Sequence, residues 1–337
     1  MKYDMKAWLA GLKKSGRKKA LPILSFPCIS LMGITVRELL AGSGLQAEGM
    51  RAVAERTDAA AAVSFMDLSV EAECFGAQVR FSDHEVPAVI GQLVTGMDDA
   101  EGLKVPGVGA ARSGVFIDAI RLAKEKITDR PVLAGMIGPF SLAARLMDMT
   151  EIMISCYEEP EMVETVLEKA TDFLCEYAKA YKAAGADGIM MAEPVAGLLA
   201  PTLLEAFSAP YVRRIADAVQ DDQFAVIYHN CGGNTIKAID AILSSGCAAY
   251  HFGNAIDMKE MLGAVPEGTI VIGNLDPAGV LRLGTPGQVR EETLRIMQEC
   301  CACDHFVIST GCDVPPMTPW ENIDAFFDAV KEYYDER

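Results

Sequence analysis

Short, unbroken apolar runs alternate along this chain with longer stretches in which apolar residues recur every three to four positions. The runs fall at Ala20–Phe26, Ala60–Phe65, Val132–Ile137, Gly188–Ala192, Phe224–His229, Ala248–Phe252, Thr269–Gly273 and Phe306–Thr310. A run apolar at every position is the mark of a strand buried on both faces, as in a parallel sheet. The periodic stretches predict helices over 3–15, 34–40, 47–56, 115–127, 141–155, 160–183, 203–219, 234–245, 257–263, 286–299 and 319–334. Two of these carry start signals: Thr285-Pro286-Gly287-Gln288 and Thr318-Pro319-Trp320-Glu321 each have the spacing of a capping box with proline at the first helical position. Eight strands, each followed by at least one helix, predict α/β architecture as a single (β/α)8 TIM barrel spanning 1–337. A doubly wound open sheet would need a glycine-rich turn after its first strand, where this chain has Pro27-Cys28. The pattern lapses over 76–113, which is rich in Gly and Pro and predicts a loop-rich insertion. Gly107-x-Gly109 lies there without a preceding strand, so it carries little weight as a nucleotide loop.

In a barrel, the residues that follow each strand gather at one face. Those positions hold Cys28, Asp67 with Glu71 and Glu73, Glu193-Pro194, His229 with Cys231, Asn254, Asn274-Leu275-Asp276 and Cys312-Asp313. Polar and metal-ligating groups at most strand ends favour an enzyme. His229-x-Cys231 has the spacing at which two side chains on a strand point the same way, and imidazole and thiolate are good zinc donors. The pair gains force from Cys312, in a second loop at the end of a strand. Each residue also has a plainer reading: Asp276 as a turn cap, Glu193 as an ordinary strand end, Glu71 and Glu73 as a solvated helix face, Cys28 as a small buried hydrophobe. Cys300, Cys301, Cys303 and His305 precede their strand, at the opposite end, and read as structural. His84 falls in a loop and His251 in a strand wall.

Composition narrows the function classes. The chain has 337 residues, 51 % of them hydrophobic, and a net charge of −17, which excludes the basic footprint of nucleic-acid or anionic-membrane binding. No run is long enough to span a bilayer. Lys13–Lys19 followed by Ala20–Phe26 imitates a signal peptide, but Pro22, Pro27 and the lack of a cleavage-like site favour a first core strand. Ten cysteines in a long acidic chain point to a reducing cytoplasm, with thiols or metal ligands in place of disulfides.

Several segments together carry a resemblance: His229-x-Cys231-Gly232-Gly233-Asn234-Thr235, Val271–Pro277, Leu283–Pro286 and Gly311–Ile323, with Phe65–Gly76 and Gly135–Leu142 earlier. They resemble the uroporphyrinogen decarboxylase superfamily, and within it the zinc-dependent methylcobamide:coenzyme M methyltransferase-like branch. The likeness covers nearly the whole chain and is strongest from about residue 188 onward. It implies a (β/α)8 barrel holding one Zn2+ on His229, Cys231 and Cys312, with a fourth position open to a substrate thiol. It also implies that this thiolate attacks the methyl group of a methyl-corrinoid, releasing cobalt(I). The chain has no Asp-x-His-x-x-Gly segment, so the corrinoid is expected on a separate protein docked at the barrel mouth. Asp67, Glu71, Glu73, Glu193, Asn254 and Asn274 are expected on the substrate side. Asp67 also matches the catalytic aspartate of the decarboxylases, which makes a metal-free decarboxylase the alternative. That enzyme's arginine-rich N-terminal loop is missing, since 21–36 contains neither Arg nor Lys. A third reading is a corrinoid-protein-docking protein without turnover. Asn254 stands where coenzyme M transferases tend to have an acidic residue, leaving the acceptor open between coenzyme M, another thiol and a pterin.

Overall fold

The computed structural model describes residues 2–335. Its strands are β1 (Ala62–Val63), β2 (Gln78–Arg80), β3 (Ala88–Ile90), β4 (Val132–Ile137), β5 (Gly188–Ala192), β6 (Ala225–Asn230), β7 (Ala249–Phe252), β8 (Ile270–Leu275) and β9 (Phe306–Thr310). Seven form one parallel sheet in the order β1-β4-β5-β6-β7-β8-β9, and β2 and β3 pair as a separate antiparallel hairpin. Helices such as Pro160–Ala184 and Pro286–Cys300 link successive strands.

The apolar runs divide between two cores, because side chains alternate along a strand. Leu133, Met190, Ala192, Ala225, Ile227, Ala249, Ile270, Ile272 and Val307 pack together on the concave side. Ile189, Met191, Val226, Tyr228, Tyr250, Phe252, Val271 and Phe306 pack outward under the helices. A sheet with a packed interior on one side and helices on the other is a curled sheet.

The expected first strand, Ala20–Phe26, does not form a strand. Its side chains alternate as one would, with Leu21 and Ile23 in the inner core and Ala20, Leu24 and Phe26 in the outer. Its backbone touches both sheet edges: the Leu21 N–H donates to Ile308 O (3.0 Å), and Ala20 O accepts from the Ala60 N–H (2.7 Å). Side chains replace the rest of the ladder. The Ser309 hydroxyl donates to Leu21 O (2.7 Å), and the Ile23 N–H donates to Thr310 Oγ1 (3.2 Å). Pro22 between them has no N–H to offer.

Other boundaries shifted for local reasons. The helix expected over 203–219 breaks at Ser208 into Pro201–Phe207 and Ala209–Val219, with Pro210 just beyond the break. That over 141–155 breaks at Asp148, whose φ is 80° and whose carboxylate accepts from the Thr150 N–H. The Thr285 capping box forms with Gln288. Thr318 instead turns its hydroxyl back onto Pro315 O (2.8 Å), and the last helix starts at Trp320. Within 76–113 lie the β2–β3 hairpin and the helix Met97–Gly102, joined by loops. Among the described residues no helix is long and apolar enough to cross a membrane.

Thr310 is 1 % exposed. Thr310→Val keeps its shape and strands the buried Ile23 N–H, which should destabilise the fold by about 1–3 kcal/mol. The measurement is a urea midpoint that falls at unchanged slope; an unmoved midpoint would show that this hydroxyl does not help to seal the sheet edge.

Candidate metal centre

The inner stack is aliphatic at its lower levels and turns polar where the strands end. On β6, Ala225 and Ile227 are followed at the same alternation by His229, and on β7 Ala249 is followed by His251. The two histidines are register partners, so their rings share a face. They meet edge-on with Nδ1 atoms 2.8 Å apart, and both are buried. The other ring nitrogen of His251 lies 2.9 Å from Ser309 Oγ on β9, the hydroxyl that binds Leu21 O. His229 is therefore held by Nδ1 and presents Nε2, 3.5 Å from Cys312 Sγ.

Cys231 lies one residue past β6. Buried Asn230 sets its loop by accepting from the Gly232 N–H (2.9 Å) and the Thr235 hydroxyl (3.0 Å). Close approach of the two cysteine loops needs glycine on both sides. A Cβ on Gly253 would stand 2.5 Å from Cys231 Cβ, and one on Gly311 would stand 2.6 Å from Asn254 N.

The outcome is that one donor atom each from His229, Cys231 and Cys312 lie within 4.8 Å of one another. Tetrahedral zinc with bonds of about 2.0–2.3 Å sets its donors about 3.5–3.8 Å apart, so the trio needs only a small contraction to hold the ion. The electrostatics agree. The Cys312 thiol donates to Cys231 and holds it well below the usual thiol range, with His229 helping, while the same bond and burial push Cys312 up. The pair thus gives up a first proton readily and a second with difficulty. A dication is the natural agent for removing the second.

His229 and Cys312 line a cavity of about 300 Å3 together with Ile23, Met66, Leu68, Val86, Val89 and Pro194. Besides His229, the basic side chain on its lining is Arg145, which forms no hydrogen bond or ion pair with any described residue. Asp313 also lines it, with one carboxylate oxygen buried and without a hydrogen-bond partner among the described residues. Burial pushes that carboxyl well above the usual range.

The remaining candidates are placed differently. Asp67 has a fully buried side chain paired with Arg112, and its other oxygen accepts from the Ser69 hydroxyl (2.6 Å). Arg112 also binds Glu73 (2.6 Å) and Ser69 Oγ (2.9 Å). Glu71 is buried, with Oε1 accepting from the Ile137 N–H (3.1 Å) and Oε2 unpartnered. Glu193 is fully buried and caps the helix Pro139–Met147, accepting from the N–H groups of Phe140 (2.9 Å) and Ser141 (3.0 Å) and from the Ser141 hydroxyl. Asn274 ties the loop after β7, donating to Gly253 O and Ile256 O. With exposed Asn254, it borders a second depression rather than the cavity. Cys28 is a buried thiol pushed up to about 12 by burial.

Sequence reasoning did not single out Arg112, Arg145 or Ser309. Arg112 sits in the loop-rich stretch and Arg145 within a helix, where nothing local marks a site. Ser309 could have been found by alternation, two residues after Val307 on the inner face.

A model of the family described as uroporphyrinogen decarboxylase (URO-D) matches residues 28–333. The chain belongs to that family. It is similar to the methylcobamide:CoM methyltransferase MtbA of Methanosarcina acetivorans, with 31 % identity over 79 % of this chain and 78 % of that one. It is also similar to the uroporphyrinogen decarboxylase of Coxiella burnetii, with 28 % identity over 81 % and 77 %. A solved structure titled as a methyltransferase from Methanosarcina mazei shares the fold, with a TM-score of 0.85 over 99 % of both chains at 24 % identity.

The charge on Glu71 gives a pH signature for this family member. Burial raises its carboxyl from an ordinary value near 4.5 to about 8. The unfolded chain releases this proton near pH 4.5, whereas the folded chain keeps it until about pH 8. The residue therefore lowers stability progressively as pH rises between those values. Glu71→Gln should gain on the wild type as pH climbs from 5 to 8 in urea titrations; a constant difference across that range would contradict the buried, unpaired carboxyl.

Proposed function

We propose that the chain is a zinc-dependent methyltransferase that moves a methyl group between a corrinoid, carried by a separate protein docked at the barrel mouth, and a small thiol of the coenzyme M kind. The observation that carries this reading is the convergence of His229, Cys231 and Cys312, two of which, His229 and Cys312, line a cavity. The similarity to MtbA supports it. The same reading takes the sheet, with Ala20–Phe26 in the eighth position, as a closed (β/α)8 barrel in one domain, and 76–113 as an insertion over its mouth. That insertion supplies Val86, Pro87, Ala88 and Val89 to the cavity wall. All ten cysteines are free, which suits a reducing cytoplasm.

His229 Nε2 and the sulfurs of Cys231 and Cys312 would hold the ion. What zinc supplies when bound is a fourth position for the acceptor sulfur and the charge that removes its proton at neutral pH. The two cysteine thiolates would donate negative charge to the centre and so keep that sulfur nucleophilic. Met66, Leu68, Val86 and Val89 exclude water from it. Arg145 orients an acceptor that carries an anionic group at its other end.

The decarboxylase alternative rests on Asp67 and on the C. burnetii relative. Against it, the Asp67 side chain is fully buried, ion-paired with Arg112 and bonded to Ser69, and is not among the residues lining the cavity. The cavity lining offers Arg145 as its guanidinium for a substrate with many carboxylates. A docking protein without turnover would keep the metal and lack the reaction.

Metal analysis of the wild type and of Cys312→Ala tests the reading. About one zinc per chain is expected, lost in the variant, with thiol-dependent demethylation of methylcobalamin falling to background alongside it. A zinc-free wild type purified with zinc under reducing conditions would overturn the metal site. A zinc-loaded chain that transfers no methyl from methylcobalamin or a methylated corrinoid protein would leave the docking reading.

A further inference from the structure

The hydrogen-bond chain behind His229 can be followed proton by proton. Leu21 O can only accept, so the single hydroxyl proton of Ser309 goes to it (2.7 Å). Ser309 Oγ is then an acceptor for His251 Nε2 (2.9 Å), which must carry a proton. The ring nitrogens of His251 face His229 Nδ1 and Ser309 Oγ, neither of them an anion, and the ring is 0 % exposed. A second ring proton would place an uncompensated charge in the core. His251 is therefore a neutral ring with a bare Nδ1. That nitrogen lies 2.8 Å from His229 Nδ1, and a short contact between two nitrogens needs one proton between them, so His229 carries it. With that proton on Nδ1, Nε2, the atom facing Cys312, is the nitrogen left to ligate a metal.

We propose that Ser309 and His251 are positioning residues for the metal centre: a relay anchored on Leu21 O fixes the His229 tautomer so that Nε2 is the ligand atom. The proposal rests on the zinc reading above. Ligating histidines commonly give their second N–H to a carboxylate, a carbonyl or water. Here a second histidine takes it, and that histidine has no proton to offer back because Ser309 holds its other side. The relay joins β6, β7 and β9 to the Ala20–Phe26 segment, so the ring orientation is set by four elements rather than by one loop.

The test pairs substitutions with a direct view of the protons. His251→Leu removes the acceptor for the His229 N–H, whereas His251→Asn places an amide oxygen near the lost Nδ1. Zinc affinity by chelator competition should fall about 10- to 100-fold in His251→Leu and be largely restored in His251→Asn. Thermal unfolding of the metal-free proteins shows that both variants fold. In parallel, the 15N imidazole spectrum of zinc-loaded wild type, with only four histidines to resolve, should show His229 protonated on Nδ1 and metal-bound through Nε2, and His251 protonated on Nε2. Metal bound through His229 Nδ1, His251 protonated on Nδ1, or equal affinities for the Leu and Asn variants would each overturn the relay. If wild type takes up no zinc, the functional reading fails by itself, and the His251 proton position in the metal-free chain still decides the relay.

Discussion

Two imidazole rings meeting nitrogen to nitrogen inside a dry core is the contact on which this site depends. Buried polar groups are tolerable only when their partners are in place, and a histidine pair has one proton too few or too many unless something outside it decides. Here a carbonyl decides, because it can do nothing but accept. The segment carrying that carbonyl, Ala20–Phe26, makes only part of a strand ladder. Its gaps are filled by Ser309 and Thr310 hydroxyls. One substitution of backbone bonds by side-chain bonds thus serves the fold, by sealing a sheet edge, and the site, by giving the relay a fixed end.

Alternation explains why the site lies where it does. Each strand is buried on both faces, and its inward residues stack in levels. The lower levels are filled by buried Met190, Ile227, Ile272 and Val307, an aliphatic layer beneath the histidines. Interactions among His229, Cys231 and Cys312 are therefore stronger than they would be in solvent. Their shared proton and opposed thiol acidities follow from that setting. An aliphatic floor, a polar level and an apolar-walled cavity above it form one gradient, built by the choice of every second residue.

Much of this was legible in the chain. Unbroken apolar runs marked seven of the strands, and His-x-Cys spacing with a distant loop cysteine marked the trio that the structure brings together. What stayed hidden was long-range pairing. Asp67 and Arg112 are 45 residues apart, and Glu193 caps a helix 52 residues earlier in the chain; no local pattern carries such partnerships. Ala20–Phe26 was expected as a core strand although Pro22 has no N–H for a ladder, and the hydroxyls that compensate lie at the other end of the sequence. His251 reads as a wall residue until its register with His229 is known, since a single histidine inside a strand has no direction without its neighbours.

The family to which the chain belongs contains relatives named for two chemistries, and the contrast turns on what each carboxylate and thiol is free to do. Asp67 keeps its place after β1, yet Arg112 reaches it from the far end of the loop-rich stretch and neutralises it. That pairing turns a potential proton handler into an anchor for the segment lying over the cavity. At the opposite wall, His229, Cys231 and Cys312 are under no such claim. Their side-chain donor atoms converge within 4.8 Å of one another, and glycines let the loops that carry them approach closely. A barrel face offers many strand-end positions to a reaction. Where one set is consumed by internal ion pairs and another converges beside a cavity, the second set is the better placed to meet a substrate.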